Sequence, residues 1–594
     1  MKMSDYFIRC GRDRSHRLNS PHLMIVAGAW FVALLLLAPG LTSPFDKEMD
    51  ARSCTWVEDV ARAGHWLLPL DIYHRPCLKP PLFYWLGAIT VEIAGGRGDA
   101  PQCRIVSLVS AASLATVTMV WTAGQIGSFE GWLAFFILIS TYAFAARATS
   151  ALVDMLFSLL MLSVYYLVYP VMEGAISPRR TLAAGLLLGL AILSKGPLAL
   201  VLCVLAGLIY LLMHRGISLT VVLGWRWPWQ MLATAGAVAA AWYLPALMLG
   251  QERLASVMMH ENAGHFLPAW MGGTGEAARP VYYILSRVVG GSMPWCLLIV
   301  PTIIALGSGA IRKEVRAPLL YQLAMMLAVV LFFSAASAKR DEYILPAMPA
   351  LSIVAATAFT IDPNATGLWA LRLRRIVIVG AAVIIAIFVM FTFVVTRAGV
   401  STAILHLNLQ SSDLGYARLF ADGMARSQPP FLTLIGAASL GVMIVIGGLW
   451  RVRDEWTVAG LSLMVLAGVL IFNGVLRPRL ARARSPIHFA AQVRARIGDA
   501  PLYLVRGEDV PFSLYYGHAV PSLPAALPAG AFLVASPREL AVLLPSQRMR
   551  LRCVMRSDLI GGDGGQALYE IEPPGGSRGY NAVHSEPGPL RNGC

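Results

Sequence analysis

From Leu23 to about Phe472 the chain alternates apolar runs of roughly 14–24 residues with short polar breaks, the pattern of helices sized to cross a hydrocarbon layer about 30 Å thick. About fourteen such runs can be marked, at 23–42, 81–96, 104–123, 130–148, 152–172, 181–194, 197–213, 229–249, 281–304, 318–336, 343–360, 376–396, 430–450 and 456–474. The first follows a basic leader (Lys2, Arg9, Arg12, Arg14, Arg17) and shows no A-x-A cleavage pattern, so it reads as an uncleaved span rather than a signal peptide. From about Leu476 the pattern shortens, and strands are predicted at 501–505, 532–536, 549–555 and 567–571 between helical stretches. The fold class expected is therefore mainly α. A polytopic transmembrane helix bundle occupies 1–475, a small soluble α/β domain 476–572, and a Gly- and Pro-rich tail, predicted to be disordered, 573–594.

Composition agrees. Hydrophobic residues make up 57% and charged residues 14%, with a mean hydropathy of +0.64, which excludes an ordinary water-soluble chain. The net charge of +15 would suit a nucleic-acid binder, but the Arg and Lys residues gather in short breaks between spans, so topology explains them and no nucleic-acid partner is expected. Arg179 and Arg180, His214 and Arg215, Arg312 with Lys313 and Arg316, Arg372 with Arg374 and Arg375, and Arg451 with Arg453 fall two crossings apart and share the cytoplasmic side. The N-terminal basic segment and the 97–104 loop join them if 104–148 crosses once, broken around Gly124, Gly127 and Gly131; about thirteen crossings result. The loop 43–80, the turns at Asp154 and Lys195, the segments 250–280, 337–342 and 397–428, and the C-terminal domain then face outward. Arg477, Arg479, Arg482 and Arg484 break the rule there; contact with lipid phosphates or packing on the soluble domain would account for them.

That outer face collects the unusual polar residues. The loop 43–80 carries Asp46, Glu48 and Asp50, then Arg75 and Lys79. A carboxylate near the membrane surface can act as a general base, while Arg75 as a fork and Lys79 as a point charge can hold phosphate oxygens. The plain alternative for the acids is a solvated helix start favoured by the macrodipole. Asp154 opens an apolar run, where an unpaired charge is expensive and usually functional. Lys195, in Ser194-Lys195-Gly196-Pro197, either snorkels or holds phosphate. His260 and Glu261 follow one span; Lys339, Arg340, Asp341, Glu342 and Tyr343 precede another. The eight cysteines show no metal-ligand spacing, though carboxylates alone can bind Mg²⁺ or Mn²⁺. Cys54 and Cys77 share the first outer loop and could form a disulfide in an oxidising compartment; free thiols are the other reading.

Eight pieces in order resemble the GT-C membrane glycosyltransferases of the protein-mannosyltransferase-like group, and within it the 4-amino-4-deoxy-L-arabinose (lipid A) transferases. They are Asp50-Ala51-Arg52; Gly64-His65-Trp66 with Pro69; the K-P-P-L-x-Y-W-L segment Lys79 to Leu86; Asp154-Met155; Gly189 to Pro197; His260 to Phe266; Pro294-Trp295; and Ser337 to Leu351. Met49-Asp50-Ala51-Arg52-Ser53 lacks the paired acid and the Tyr usual in the first motif, and His265 replaces a basic residue usual before Phe266. The resemblance implies an inverting transfer of a pentose or hexose from a polyprenyl-phosphate carrier to a lipid A-like, glycan or protein acceptor. It implies no required cofactor and a place in the bacterial inner membrane, N-terminus cytoplasmic and C-terminal domain periplasmic. It places the first acid at Asp50, with Glu48 as rival, the second at Asp154, and the phosphate-holding lysine at Lys79. Arg340 and Tyr343 fall at the carrier-phosphate site and Glu261 in the outer polar cluster. The competing class is a transporter or flippase of a lipid-linked or phosphorylated substrate. No inverted repeat with broken helices supports it. A polymerase or ligase of lipid-linked glycans would place its richest outer loop late in the chain rather than first.

Overall fold

The computed structural model describes residues 20–96, 98–214, 226–259, 279–361, 368–397, 428–451, 454–505, 507–525, 528–541, 543, 551–557 and 565–572. Helix α1 (Ser20–Leu37) is apolar on every side and leads into the first polar loop. Helix α2 (Glu48–Ala63) has Glu48 and Asp50 in its first turn and Arg62 in its last, charges that suit the macrodipole at both ends. It stops at Gly64, whose φ of 71° is the left-handed cap that glycine adopts at little cost. One face of α2, including Asp50, Ala51, Arg52, Cys54, Trp56 and Val57, is buried, so the helix lies against the bundle.

Helix α3 (Leu82–Ile93) has 12 residues, or about 18 Å, too short for a hydrocarbon layer about 30 Å thick. After it, Arg104, near the start of α4 (Ala100–Gln125), meets Asp50 of α2. The sequence expected a span over 81–96 and a free basic break after it; instead Leu82–Ile93 is a short helix, and Arg104 is bonded to Asp50 beyond the first polar loop. The stretch 104–148 is likewise two helices, α4 and α5 (Ser128–Ser140), folded back on each other at Gly127. A Cβ on Gly131 would come within 2.8 Å of the Met119 carbonyl, so glycine permits their close approach.

Helices α6 (Asp154–Met172), α7 (Pro178–Lys195) and α8 (Leu198–His214) then run back and forth through the bundle. Beyond them come Arg226–Met259, Lys313–Ala335, the 3₁₀ turn Asp341–Ala347 with Met348–Thr357, Leu368–Arg397, Gln428–Trp450 and Asp454–Ile471. Among the described residues six helices are long and apolar enough to cross a membrane, or seven if the pair Tyr283–Ser292 and Trp295–Gly307, bent by 101°, forms one span. A single large apolar core joins these helices to α2 and α3.

The C-terminal region forms the expected α/β unit. Strands β1 (Leu502–Leu504), β2 (Phe532–Ala535), β3 (Leu551–Arg556) and β4 (Ala567–Ile571) lie in the order β1-β2-β4-β3, with β1 parallel to β2 and the other pairs antiparallel. Phe489, Val493, Phe512 and Tyr516 cover one face, Leu540 and Leu543 the other. This unit docks on the first loop. The Phe45 N–H donates to the Tyr515 hydroxyl at 2.6 Å, and the Tyr73 and Ser513 hydroxyls lie 2.7 Å apart. Arg477 neither faces lipid nor packs on the sheet. It donates to the Ala146 carbonyl at 2.6 Å and to the Thr149 hydroxyl at 2.9 Å, pinning the end of the last apolar helix to the turn before Asp154.

Cys54 is disulfide-bonded to Cys103, not to Cys77, with Cα atoms 5.4 Å apart. The expected partner, Cys77, is buried and free, and burial pushes its thiol up to about 12. The reason is the docking of α2 on α4, which no count along the loop reveals. Peptide mapping of unreduced protein is expected to recover a Cys54–Cys103 cross-link and none containing Cys77. Cys103→Ser is expected to lower unfolding stability by about 2–4 kcal/mol, read as a fall in thermal midpoint equal to that caused by reductant.

Candidate active site

Polar side chains from distant parts of the sequence meet at one end of the bundle, in three groups. The first is centred on Asp50, which is 3% exposed, against Arg104 at 1%. Arg104 donates from Nε (3.2 Å) and Nη2 (2.6 Å) to Asp50 Oδ2, while its Nη1 donates to the carbonyls of Leu41 (3.2 Å) and Ser43. The other carboxylate oxygen, Oδ1, accepts the Ala151 N–H. Both oxygens of Asp50 are engaged, and a buried pair survives only when its remaining valences are met in this way.

The second group is the pair Asp154 and Lys195. Asp154 is the first residue of α6 and Lys195 the last of α7, so each charge complements the dipole end it occupies. They are 5% and 6% exposed and ion-paired, so Lys195 does not snorkel to water. Its ammonium also lies 4.8 Å from the Tyr343 ring centre and 5.3 Å from that of Phe157. Tyr343 in turn stacks on Phe333 at 4.5 Å. Beside it Arg147 reaches Glu342 at 3.4 Å and Asp341 at 4.0 Å, and Asp341 also meets Arg287 at 3.1 Å. Arg340 is half-buried at the start of the 3₁₀ turn, its carbonyl accepting from Tyr343 N–H at 3.3 Å. Asp154, Lys195 and Tyr343, which the sequence singled out separately, thus form one cluster.

The third group joins α2 to the C-terminal unit. Arg52, with a side chain 9% exposed, meets Glu48 at 2.7 Å, Asp71 at 3.4 Å and Glu508 at 3.0 Å. Asp71 also fastens the turn that delivers Arg75, its Oδ1 accepting the N–H groups of Tyr73 and Arg75, each at 2.9 Å. Arg75 then pairs with the second oxygen of Glu508. The Glu48 side chain is 58% exposed. Lys79 is half-buried in the turn that leads into α3. Lys47 stands between the groups, and burial, with Arg147 and Arg477 facing it, holds its ammonium below the usual lysine range. His260 and Glu261 lie outside the described residues. Among the described residues no three His, Cys, Asp or Glu are grouped to hold a metal ion.

Residues 78–245 match the family described as dolichyl-phosphate-mannose-protein mannosyltransferase. The undecaprenyl phosphate-alpha-4-amino-4-deoxy-L-arabinose arabinosyl transferase of Shewanella sediminis is 25% identical over 350 residues, 56% of this chain and 59% of that protein. A protein of the same description from Pseudomonas fluorescens is 26% identical over 334 residues, 55% of each. The chain thus matches little more than half the length of these curated relatives. The structural likeness runs further. A crystal structure of ArnT from Cupriavidus metallidurans bound to undecaprenyl phosphate superimposes with a TM-score of 0.67 over 92% of this chain and 96% of that one, at 19% identity. The fold is GT-C. The resemblance read from the sequence is thereby borne out, and within the GT-C frame the 78–245 match takes in Lys79, Arg147, Asp154 and Lys195.

Several members of the site escaped sequence reading. Arg147 lies inside the apolar run 130–148, where its charge was a usable signal. Arg104 was read only as a topology signal, and Glu508 sits in a region given no chemistry. The Asp50–Arg104 pair has a clear expected signature. Asp50→Asn or Arg104→Met alone should cost about 3–5 kcal/mol by stranding a buried charge, whereas a volume-matched apolar pair at both positions should recover most of it. Thermal unfolding of the two single variants and the double measures this, and single variants as stable as wild type would contradict it.

Proposed function

We propose that the chain is an inverting glycosyltransferase of the bacterial inner membrane, moving a pentose or hexose from a polyprenyl-phosphate carrier to a lipid A-like, glycan or protein acceptor. In this reading the outer face is periplasmic, the N-terminus cytoplasmic, and residues 476–572 form a periplasmic domain above a bundle formed by 1–475. The observation that carries it is the single cluster of Asp154, Lys195 and Tyr343, where the start of α6, the end of α7 and the 3₁₀ turn Asp341–Ala347 meet. Such a cluster offers cations and an acid to a phosphate-linked sugar held at the membrane surface. The names of the curated relatives favour undecaprenyl phosphate as carrier and aminoarabinose as sugar.

The acceptor oxygen attacks the anomeric carbon as the bond from that carbon to the phosphate oxygen breaks. The electron pair leaves with the lipid phosphate. Lys79, Arg75 and Arg340 stabilise the growing phosphate charge, the electrostatic contribution that commonly dominates such steps. Tyr343 lines the carrier phosphate, and Asp154, held by Lys195, faces the positive charge on the sugar ring. Between the two candidates for the first acid, Glu48 is preferred, since the oxygens of Asp50 are engaged by Arg104 and Ala151 while the Glu48 side chain reaches open space. With a hydroxyl acceptor Glu48 takes the proton; a phosphate acceptor is already ionised and needs no base. The family resemblance assigns Glu261, with His260 beside it, to the outer polar cluster, and the reaction requires no cofactor.

Transfer of radiolabelled sugar from a polyprenyl-phosphate donor in membranes tests the reading. Glu48→Gln, Asp154→Asn and Lys79→Ala are each expected to lower turnover by about 10²–10³-fold at unchanged expression. Full activity in all three would remove the site assignment. No transfer from any such donor, alongside solute flux in vesicles, would favour the transporter.

A further inference from the structure

Glu508 lies in the C-terminal unit, far in sequence from every residue given a role above, yet its two oxygens are divided between the two arginines of the first loop. Oε2 meets Arg52 at 3.0 Å and Oε1 meets Arg75. Its side chain is 14% exposed, whereas that of Arg75 is 56% exposed. Arg52 is buried and carries Glu48 on the same Nη2 that meets Glu508. Arg75 sits at the end of a turn fixed by Asp71, with its carbonyl accepting from Trp56 Nε1 at 3.3 Å. The backbone of Arg75 is therefore fixed while its guanidinium is open on one side.

We propose that Glu508 is a positioning residue of the site: through Arg52 it sets the Glu48 carboxylate, and it holds the Arg75 guanidinium until a phosphate monoester takes that guanidinium over. The Arg52 contact is buried, and a charge-assisted bond gains strength from exclusion of water. The Arg75 contact is wet and correspondingly weak. A phosphate dianion presents more charge to a guanidinium fork than one carboxylate oxygen does, so it displaces the outer contact and leaves the inner one in place. The C-terminal unit then contributes directly to the geometry of the acid and to the affinity for phosphate. This inference rests on the transferase reading for its effect on turnover, but not for its effect on binding.

The test uses full-length protein in detergent and two readouts: sugar transfer, and binding of farnesyl phosphate as a short polyprenyl monophosphate. Glu508→Gln removes the charge that restrains Arg75 and loosens Arg52. It is expected to bind farnesyl phosphate about tenfold more tightly while its kcat falls about tenfold. Glu508→Asp, which keeps the charge, is expected to recover most of kcat. Arg75→Gln with Glu508→Gln should lose the tightening, because the freed guanidinium is what supplies it. Unchanged or weaker binding in Glu508→Gln, or tightening that persists in the double variant, would overturn the proposal. Wild-type protein that binds farnesyl phosphate but transfers no sugar, with the binding shift present, would remove the transferase reading and leave Glu508 standing.

Discussion

The site depends on a buried ion pair. Asp50 and Arg104 lie where water does not reach, so each would be costly alone, and together they persist because the Leu41 and Ser43 carbonyls and the Ala151 N–H meet the valences left over. That arrangement brings three separate stretches to one point: the exit of α1, the start of α4 and the turn before α6. The Cys54–Cys103 disulfide repeats the link from α2 to α4 four residues along α2 and one residue along α4. With these two links α2 becomes part of the bundle wall, and Glu48, Arg52 and the turn at Arg75 are placed over the end where Asp154 meets Lys195.

The pair also explains which part of the topology was readable. Apolar runs mark helices because the bilayer demands them, so most of the bundle followed from the sequence; Asp154, Lys195 and Tyr343 were expected on one face, but their contact with one another was not. Such patterns weigh residues by local surroundings. Arg104 lies in a basic break and was read as cytoplasmic, whereas it is buried against Asp50, a pairing that counting basic residues along the chain does not reveal. Leu82–Ile93 is apolar enough to pass as a span but is used against the core at one end of the bundle. The strands of the C-terminal unit were legible from their alternation. Glu508 was not, because a carboxylate in a polar stretch looks the same whether it faces water or two arginines.

The carboxylates at this end of the bundle differ in what their surroundings leave them free to do. Asp50 is saturated, and exchanging its partners would expose Arg104 without compensation. Asp154 is also paired, but to one flexible lysine whose other neighbours are the rings of Phe157, Phe333 and Tyr343. A cation over aromatic faces keeps part of its stabilisation when its carboxylate turns away, so the second pair can open at lower cost than the first. Glu48 is held from one side by Arg52 and is open on the other. The gradient from locked to open runs from Asp50 through Asp154 to Glu48, and the proposed sugar transfer would draw on groups from its open end supported by its locked end. In such an arrangement the acid inside the Asp50-Ala51-Arg52 motif need not be the acting one, because a residue that organises the site must be more tightly held than one that works in it.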